Sequence, residues 1–183
     1  MTKPAPSNIA ALIVIDLQVG MFNGSHFPPI RHADALVERS RSVIGWARST
    51  GRPVAFVRHD AAAGEALEPN TPGWPILPDL ARAEHEPIFS KRVGDAFSQP
   101  ALVDWLAQLG VTSVILVGAQ TDQCVAATVN GAIGRGLGVT VVGDAHSTWD
   151  TGDETADQII ARHNTSFSAA GAEVTTTEAL IRS

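Results

Sequence analysis

The sequence predicts an α/β fold, a three-layer α/β/α sandwich built on a six-stranded parallel sheet. Short apolar runs alternate with longer amphipathic segments along the chain. The runs are rich in β-branched residues and apolar throughout, as is typical of strands covered on both faces. Strands that alternate with helical segments pair in parallel and are joined by right-handed crossovers. We therefore expect helices on both faces of the sheet.

Six apolar runs are predicted as strands. They are IAALIVI at 9–15, PVAFV at 53–57, PIFSK at 87–91, TSVILVG at 112–118, VTVVG at 139–143 and AEVTT at 172–176. Five segments with helical periodicity lie between or after these strands. These helices are predicted at 32–50, 99–109, 122–135, 153–169 and 177–182.

Capping residues support the predicted helix ends. Ser98 followed by Pro100 marks a helix start, because proline is tolerated in a first turn where its missing N–H has no intrahelical partner. Thr151 and Glu154 have the spacing of a capping box before the fourth helix. Three glycines stand where helix C-termini need a residue tolerant of positive φ, namely Gly51, Gly110 and Gly171.

The chain length predicts one domain, residues 1–183, with residues 1–8 expected to be flexible. At 183 residues, with 44 % hydrophobic and 17 % charged residues, the chain suits one compact globular unit. The segment 58–86 interrupts the alternation and is rich in proline, glycine and acidic residues. A connection of this length is typically functional or mobile.

Composition excludes several classes of partner. The formal net charge is −6 and no cluster of Lys or Arg forms a basic stripe, so we expect no nucleic-acid partner. The apolar run at 9–15 is too short to span a membrane, and no small-residue cleavage site follows it. One cysteine cannot form an internal disulfide, which fits a reducing compartment. We expect a cytoplasmic protein without membrane contact.

Three reactive side chains follow predicted strands. Asp16 closes the first strand, Lys91 closes the third, and Cys124 follows the fourth after a short turn. The carboxyl ends of parallel strands meet at one edge of a sheet, where ligands bind. A carboxylate, an ammonium and a thiol at that edge suit a cysteine nucleophile with an activating base. Taken singly, each residue also fits a structural role: a loop acceptor, a solvated charge and a small apolar filler.

The turn around Cys124 predicts an activated thiol. With Thr121 as the N-cap, Cys124 is the third helical residue, where backbone N–H groups lack intrahelical partners. The helix dipole and the Lys91 ammonium would lower the thiol pKa from about 8.5 into the neutral range or below. The same N–H groups suit the stabilisation of a developing oxyanion.

The segments that carry these residues resemble one protein family. IVIDLQVGMF, IFSKRVGDAF and VGAQTDQCVAATVNGA followed by VTVVGDAHST resemble the isochorismatase-like cysteine hydrolases, over residues 9 to 176. That superfamily includes nicotinamidases, N-carbamoyl amide hydrolases and streptothricin hydrolase-like enzymes, and its fold is Rossmann-like. The resemblance implies that Cys124 is the nucleophile, that Asp16 transfers protons, and that Lys91 holds Asp16 and stabilises negative charge.

The resemblance also implies an oxyanion hole and a reaction. A non-proline cis peptide between Ala119 and Gln120 would aim the backbone N–H groups of Gln120 and Cys124 at the substrate. The implied reaction cleaves a C–N bond of a small amide, lactam or imide through a thioester, without a cofactor. A homodimer or homotetramer is expected, as is common in the family. The alternatives are a vinyl-ether hydrolase of the isochorismatase type, and a non-catalytic or redox-sensing protein on the same fold.

Two further sites are not expected. Nicotinamidases of this superfamily hold a metal through an Asp-x-His pattern with a further His, whereas this chain has the adjacent pair His59 and Asp60. Adjacent residues tend to point apart, so we expect no metal. GRGLG at 134–138 comes after a helix and before a strand, which is the reverse of a dinucleotide-binding loop.

Candidate substrate-binding residues lie near the strand ends and in the long segment. They are Gln18, Phe22, His59, Trp74, Phe97, Gln120 and Gln123. Trp74 and Phe97 are predicted either to sandwich a flat ring or to pack the long segment onto the sheet. Gln120 stands where relatives often have an aliphatic residue, and it would place an amide at the pocket wall. His146, just past the fifth predicted strand, is expected to be structural.

Overall fold

The computed structural model describes residues 9–183, so the predicted flexibility of residues 1–8 lies outside the described part. The six strands are β1 Ile9–Ile15, β2 Val54–His59, β3 Ile88–Lys91, β4 Val111–Ala119, β5 Gly138–Ser147 and β6 Glu173–Thr175. They form one sheet in the order β3-β2-β1-β4-β5-β6, and every neighbouring pair is parallel. The predicted six-stranded parallel sheet is confirmed.

Helices cover both faces of this sheet. They are α1 Ala33–Ser49, α2 Pro100–Gln108, α3 Ala126–Gly134, α4 Ala156–Ala169 and α5 Thr177–Arg182. Side chains of β1 alternate between the faces, as a period of two requires. Leu12 and Val14 pack in the core with α1 and α5, whereas Ile13 and Ile15 pack in the core with α2, α3 and α4. The three-layer α/β/α sandwich is therefore confirmed.

The caps of helices α4 and α2 differ from the prediction. Helix α4 begins after Thr155, whose side chain forms a capping box with Gln158. The Thr151 hydroxyl accepts a hydrogen bond from the Glu154 N–H at 3.1 Å, but no helix begins there, and the Glu154 side chain pairs with Arg162. Helix α2 has Pro100 in its first turn, as predicted, but its N-cap is Gln99. Ser98 ends the preceding 3-10 turn, Ala96–Ser98. The three helix-ending glycines, Gly51, Gly110 and Gly171, all have positive φ, as predicted.

The strand order reverses between β1 and β4. In open parallel sheets such a reversal leaves a crevice beyond the carboxyl ends of the two strands, where ligands bind. Ile15 at the end of β1 lies opposite Gly118 at the end of β4. Gly118 has φ +139°, and a Cβ atom there would lie 2.1 Å from the Ile15 carbonyl oxygen. Glycine is thus required for the close approach of the strands at the edge of the crevice.

The long segment after β2 lies against the same edge of the sheet. It runs from residue 60 to 87 and contains one 3-10 turn, Pro78–Leu80. Leu67 and Leu80 are buried, and the Gly20 N–H donates to the Gly73 carbonyl at 2.8 Å. The segment therefore packs onto the residues that follow β1.

None of the helices within residues 9–183 has the length and apolar character needed to cross a bilayer.

Candidate active site

The structure brings together the three reactive side chains that the sequence places at strand ends. The Lys91 Nζ atom lies 2.6 Å from Asp16 Oδ2 and 3.1 Å from Cys124 Sγ. Strand β2 separates β3 from β1, so the lysine side chain reaches past it to Asp16. Asp16 is 0 % exposed and Lys91 is 1 % exposed. A buried ion pair against a thiol is therefore the centre of this site.

The backbone conformation and the burial of Asp16 are both energetically unfavourable. Its backbone has φ +51°, in the left-handed region that non-glycine residues adopt infrequently. Its Oδ1 atom is buried and has no hydrogen-bond partner among residues 9–183. Burial raises the pKa of this carboxyl, and the Lys91 ammonium opposes that rise. An unpartnered carboxylate oxygen beside a thiol is positioned to accept the thiol proton.

Cys124 lies in a π-helical turn, Thr121–Val125, and α3 begins only at Ala126. The prediction that Thr121 caps an α-helix with Cys124 in its first turn is therefore wrong. Gln120 precedes the turn, and its carbonyl accepts hydrogen bonds from the N–H groups of Gln123 and Val125. The predicted cis peptide between Ala119 and Gln120 is present.

The surroundings of Cys124 favour its protonated form. Burial raises the pKa of Cys124 to about 12, the Asp16 charge raises it further, and the Lys91 ammonium lowers it. The expectation of a pKa at or below neutrality is wrong, because desolvation and a nearby carboxylate outweigh one ammonium.

Alkylation tests this reversal. Because a pKa of about 12 leaves little thiolate at pH 7.5, we expect iodoacetamide to modify Cys124 about 10²-fold more slowly than N-acetylcysteine, even after allowing for the greater nucleophilicity of a more basic thiolate. The rate should rise about tenfold per pH unit between pH 7 and 9. Mass spectrometry measures it at the single cysteine. A rate that reaches a plateau near neutral pH would contradict a raised pKa.

His59 completes the buried cluster. It is the last residue of β2, pairs in register with Lys91, and its Nδ1 atom lies 3.4 Å from Lys91 Nζ. Potential metal-ligand atoms of Asp16, His59 and Cys124 all lie within 4.8 Å of one another. The Lys91 ammonium contacts all three residues, so a positive charge already compensates this group of donors. The expected absence of a metal remains a prediction.

A cleft of ≈680 Å³ opens above the cluster. This volume suits a small-molecule ligand. Its lining residues are Asp16, Met21, His59, Leu67, Arg92, Val93, Gly94, Gln120, Asp122, Gln123, Cys124, Ala126 and Ala127. Three predicted substrate-binding residues are therefore at the cleft wall: His59, Gln120 and Gln123.

Two predicted substrate-binding residues have structural contacts instead. The Gln18 side chain is fully buried, and its amide nitrogen donates to the carbonyls of His59 and Trp74 at 3.1 and 2.8 Å. Its amide oxygen accepts from the His59 N–H at 2.7 Å. Phe22 packs against the core on the α1 side of the sheet. Gln18 thus joins the ends of β1 and β2 to the long segment.

Trp74 and Phe97 do not form the predicted ring sandwich. The Trp74 indole donates to Asp60 at 2.8 Å, and the Arg58 guanidinium stacks 3.5 Å from the centre of its ring. Phe97 is 2 % exposed within the core that contacts α2 and α3. Both aromatic rings are absent from the cleft lining, because packing and hydrogen bonding hold them elsewhere.

The sequence profile described as the isochorismatase domain matches residues 10–179. This chain belongs to the isochorismatase family. Streptothricin hydrolase from Streptomyces noursei is 33 % identical over 153 residues, which cover 82 % of this chain and 60 % of that protein. Nicotinamidase 3 from Arabidopsis thaliana is 27 % identical over 158 residues, covering 79 % of this chain and 76 % of that protein.

Solved structures of the isochorismatase family share the fold. A crystal structure of an isochorismatase hydrolase from Oleispira antarctica superposes with a TM-score of 0.90 at 28 % identity, covering all of both chains. The chain spans only about 60 % of the length of the streptothricin hydrolase that it matches. The family indicated by the sequence motifs and the predicted fold are thus confirmed.

Several residues of the cleft wall were not predicted from the sequence. Arg92, Val93 and Gly94 directly follow Lys91, and all three line the cleft. Val93 is 55 % exposed. Asp122 also lines the cleft and accepts a hydrogen bond from the Thr148 hydroxyl at 2.7 Å. Their positions in the sequence could have indicated Arg92, Val93 and Gly94. Residues that directly follow a strand ending in a reactive side chain form the rim of the same crevice.

His146 supports the π-helical turn from below. The Asn164 side-chain nitrogen donates to the Gly143 carbonyl, so its Oδ1 atom accepts from His146 Nε2 at 2.9 Å. His146 Nδ1 then accepts from the Thr121 hydroxyl at 2.8 Å. Burial lowers the pKa of His146 to about 4. The expected structural role of His146 is therefore supported. His146 lies within β5 rather than past the end of that strand.

Acid should destabilise the fold through His146. Its folded pKa, about 4, lies below the ordinary value of 6.5, so neutral His146 stabilises the fold above pH 6.5 and this contribution is lost as the pH falls towards 4. The full loss amounts to about 3 kcal/mol. Urea unfolding at pH 7.5 and 4.5 should show a smaller pH-dependent decrease in His146→Gln than in the wild type. The exposed control His85→Gln should retain the wild-type decrease. Equal decreases in His146→Gln and wild type would contradict the role of His146.

Proposed function

We propose that this protein is a cysteine hydrolase that cleaves a C–N bond of a small amide, lactam or imide through a thioester. The observation that carries the proposal is the buried contact of Asp16, Lys91 and Cys124 at the wall of a cleft of small-molecule size. A nucleophile, a proton acceptor and a fixed cation are the components that acyl transfer requires.

The first half of the reaction forms the thioester. Asp16 Oδ1 accepts the Cys124 proton as the sulfur attacks the substrate carbonyl carbon. The carbonyl oxygen becomes an oxyanion, which the backbone N–H groups of Gln120 and Cys124 would stabilise. When the C–N bond breaks, protonated Asp16 transfers its proton to the leaving nitrogen. The products are a free amine or ammonia and an acylated cysteine.

The second half releases the acid. A water molecule attacks the thioester carbonyl, and Asp16 accepts the proton that the water loses. Collapse of the second tetrahedral intermediate breaks the C–S bond, and the proton returns from Asp16 to the sulfur. Lys91 lies against both Asp16 and Cys124 throughout, so its charge stabilises whichever of the two is anionic.

The relatives support this choice of chemistry. One similar protein is a streptothricin hydrolase and another is a nicotinamidase, whose name states amide hydrolysis. The retained thiol favours acyl transfer to sulfur over vinyl-ether hydrolysis, which does not need a thioester.

A substrate screen tests the proposal. Primary amides, N-carbamoyl compounds, lactams and imides are incubated with the protein, and isochorismate serves as the vinyl-ether control. Ammonia release and mass spectrometry for the gain of one water detect all four C–N classes. Cys124→Ala protein prepared in parallel supplies the blank. Turnover of C–N compounds by the wild type alone supports the proposal, and turnover of isochorismate alone refutes it.

A further inference from the structure

The Lys91 ammonium has an acceptor for each of its N–H groups. An ammonium carries three donors and no acceptor. Lys91 Nζ contacts Asp16 Oδ2 at 2.6 Å, Cys124 Sγ at 3.1 Å and His59 Nδ1 at 3.4 Å. Because the lysine can only donate, the Nδ1 atom of His59 must present its lone pair. The proton of a neutral His59 therefore lies on Nε2.

Burial and the Lys91 ammonium favour the neutral form of His59. Burial and the Lys91 ammonium lower the pKa of His59, whereas the carboxylates of Asp16, Glu65 and Asp60 oppose that change. The raised pKa of the Cys124 thiol, the remaining titratable group of the cluster, favours its uncharged form. A neutral ring in this tautomer is a fixed hydrogen-bond donor at Nε2.

The ring is also fixed in place. Gln18 binds the backbone of His59 on both sides, through its N–H at 2.7 Å and its carbonyl at 3.1 Å. His59 is half-buried and lines the cleft beside Cys124. Its Nε2 atom forms no hydrogen bond within residues 9–183, whereas its Nδ1 atom faces Lys91. A donor of this kind lowers affinity for any ligand that buries it without an acceptor.

We propose that His59 determines specificity by donating its Nε2–H to a second carbonyl oxygen of the substrate. The inference rests on the proposed function and narrows it to compounds in which two carbonyls flank one nitrogen, namely imides and acylureas. One of their carbonyls can meet the thiol while the other, only one nitrogen away, lies within reach of the neighbouring ring. One ring nitrogen of His59 lies within 4.8 Å of the Cys124 sulfur, and both residues line the same cleft, so the ring is near enough to the thiol for so short a spacing. The donor is separate from the backbone N–H groups assigned to the oxyanion.

A matched substrate pair and a matched variant pair test this role. Succinimide and 2-pyrrolidinone differ by one carbonyl in the same five-membered ring. His59→Leu removes the donor, whereas His59→Gln retains an N–H donor close to the position of Nε2. Both variants lose the contact between His59 Nδ1 and Lys91. Any loss of activity that arises from this lost contact should therefore occur in both variants and with both substrates.

The expected result is a change in preference. The ratio of kcat/KM for succinimide to kcat/KM for 2-pyrrolidinone should fall about fivefold to tenfold in His59→Leu and recover in His59→Gln. An unchanged ratio in His59→Leu would overturn the proposal. A wild type that hydrolyses lactams or simple amides but neither imides nor acylureas would also overturn it, while leaving the proposed function intact.

Nitrogen NMR separates this inference from the proposed function. The ¹⁵N shifts of His59, assigned through His59→Gln, should report a neutral ring with its proton on Nε2 at pH 7.5. A proton on Nδ1, or a charged ring, overturns the inference regardless of activity. Conversely, a wild type that hydrolyses no C–N compound in the screen refutes the proposed function and, with it, the role of His59 in specificity.

Discussion

Cys124→Ala is expected to lower kcat by about 10⁴-fold or more for any amide that the wild type hydrolyses. Removal of the nucleophile from an enzyme that acts through an acyl intermediate costs on this scale, because substrate binding and the oxyanion donors cannot replace the missing bond. The reason in this protein is specific. Cys124 supplies the only thiol in the chain, and its sulfur lies against Lys91 at the cleft wall.

Structure must remain intact for that result to be informative. Cys124 is partly buried and packs at the edge of the core, so alanine removes one atom with little change in packing. Thermal unfolding of Cys124→Ala should therefore differ little from the wild type. Asn130→Ala, an exposed substitution on the following helix, is the matched control and should keep full activity. Retention of a tenth of the wild-type kcat by Cys124→Ala would show that the thiol is not the nucleophile.

Asp16→Asn should reduce both activity and stability. The variant has no strong proton acceptor for the thiol, and loss of general acid–base catalysis costs about 10²–10⁴-fold in rate. It also leaves the Lys91 ammonium buried without a counter-charge, which costs about 3–5 kcal/mol of the free energy of unfolding. Rates measure the first effect and urea unfolding measures the second.

A double-mutant cycle separates the two effects of Asp16. In Asp16→Asn combined with Lys91→Met, neither charge is buried, so most of the lost stability should return while activity stays lost. The exposed pair Arg162 and Glu154, 2.7 Å apart, provides the control, and Glu154→Gln should change unfolding little because solvent screens that pair. Additive stability losses in the Asp16 and Lys91 variants would contradict a coupled buried ion pair.

The positions of the reactive residues could be predicted from the sequence because they depend on the chain order of strands. Asp16, Lys91 and Cys124 each follow an apolar run, and parallel strands bring their carboxyl ends together whatever the details of packing. The presence of helices on both faces of the sheet could also be predicted, because strands such as β1 are apolar throughout. Helix starts were less predictable: α4 begins after Thr155 rather than Thr151, and the Glu154 side chain pairs with Arg162 eight residues away.

Charge states and pocket membership could not be predicted in this way. The pKa of Cys124 depends on how completely burial removes water and on its distance to Asp16, and neither quantity is present in the spacing of residues. Trp74 and Phe97 were plausible ring contacts by type, but Arg58, Asp60 and the core hold them elsewhere. Arg92 lines the cleft because it follows Lys91, although its residue type did not indicate this position.

By itself the sequence determined the α/β fold, the family and the edge of the sheet at which Asp16, Lys91 and Cys124 meet, since periodic apolar runs and residue order carry that information. Only the tertiary structure decided that burial raises the pKa of the thiol, that Cys124 lies in a π-helical turn, and that His59 completes the contacts of the Lys91 ammonium. Those properties arise from distances of a few ångströms between residues far apart in the chain. Dehydration and hydrogen-bond geometry act over that range, and they exist only after the chain has folded.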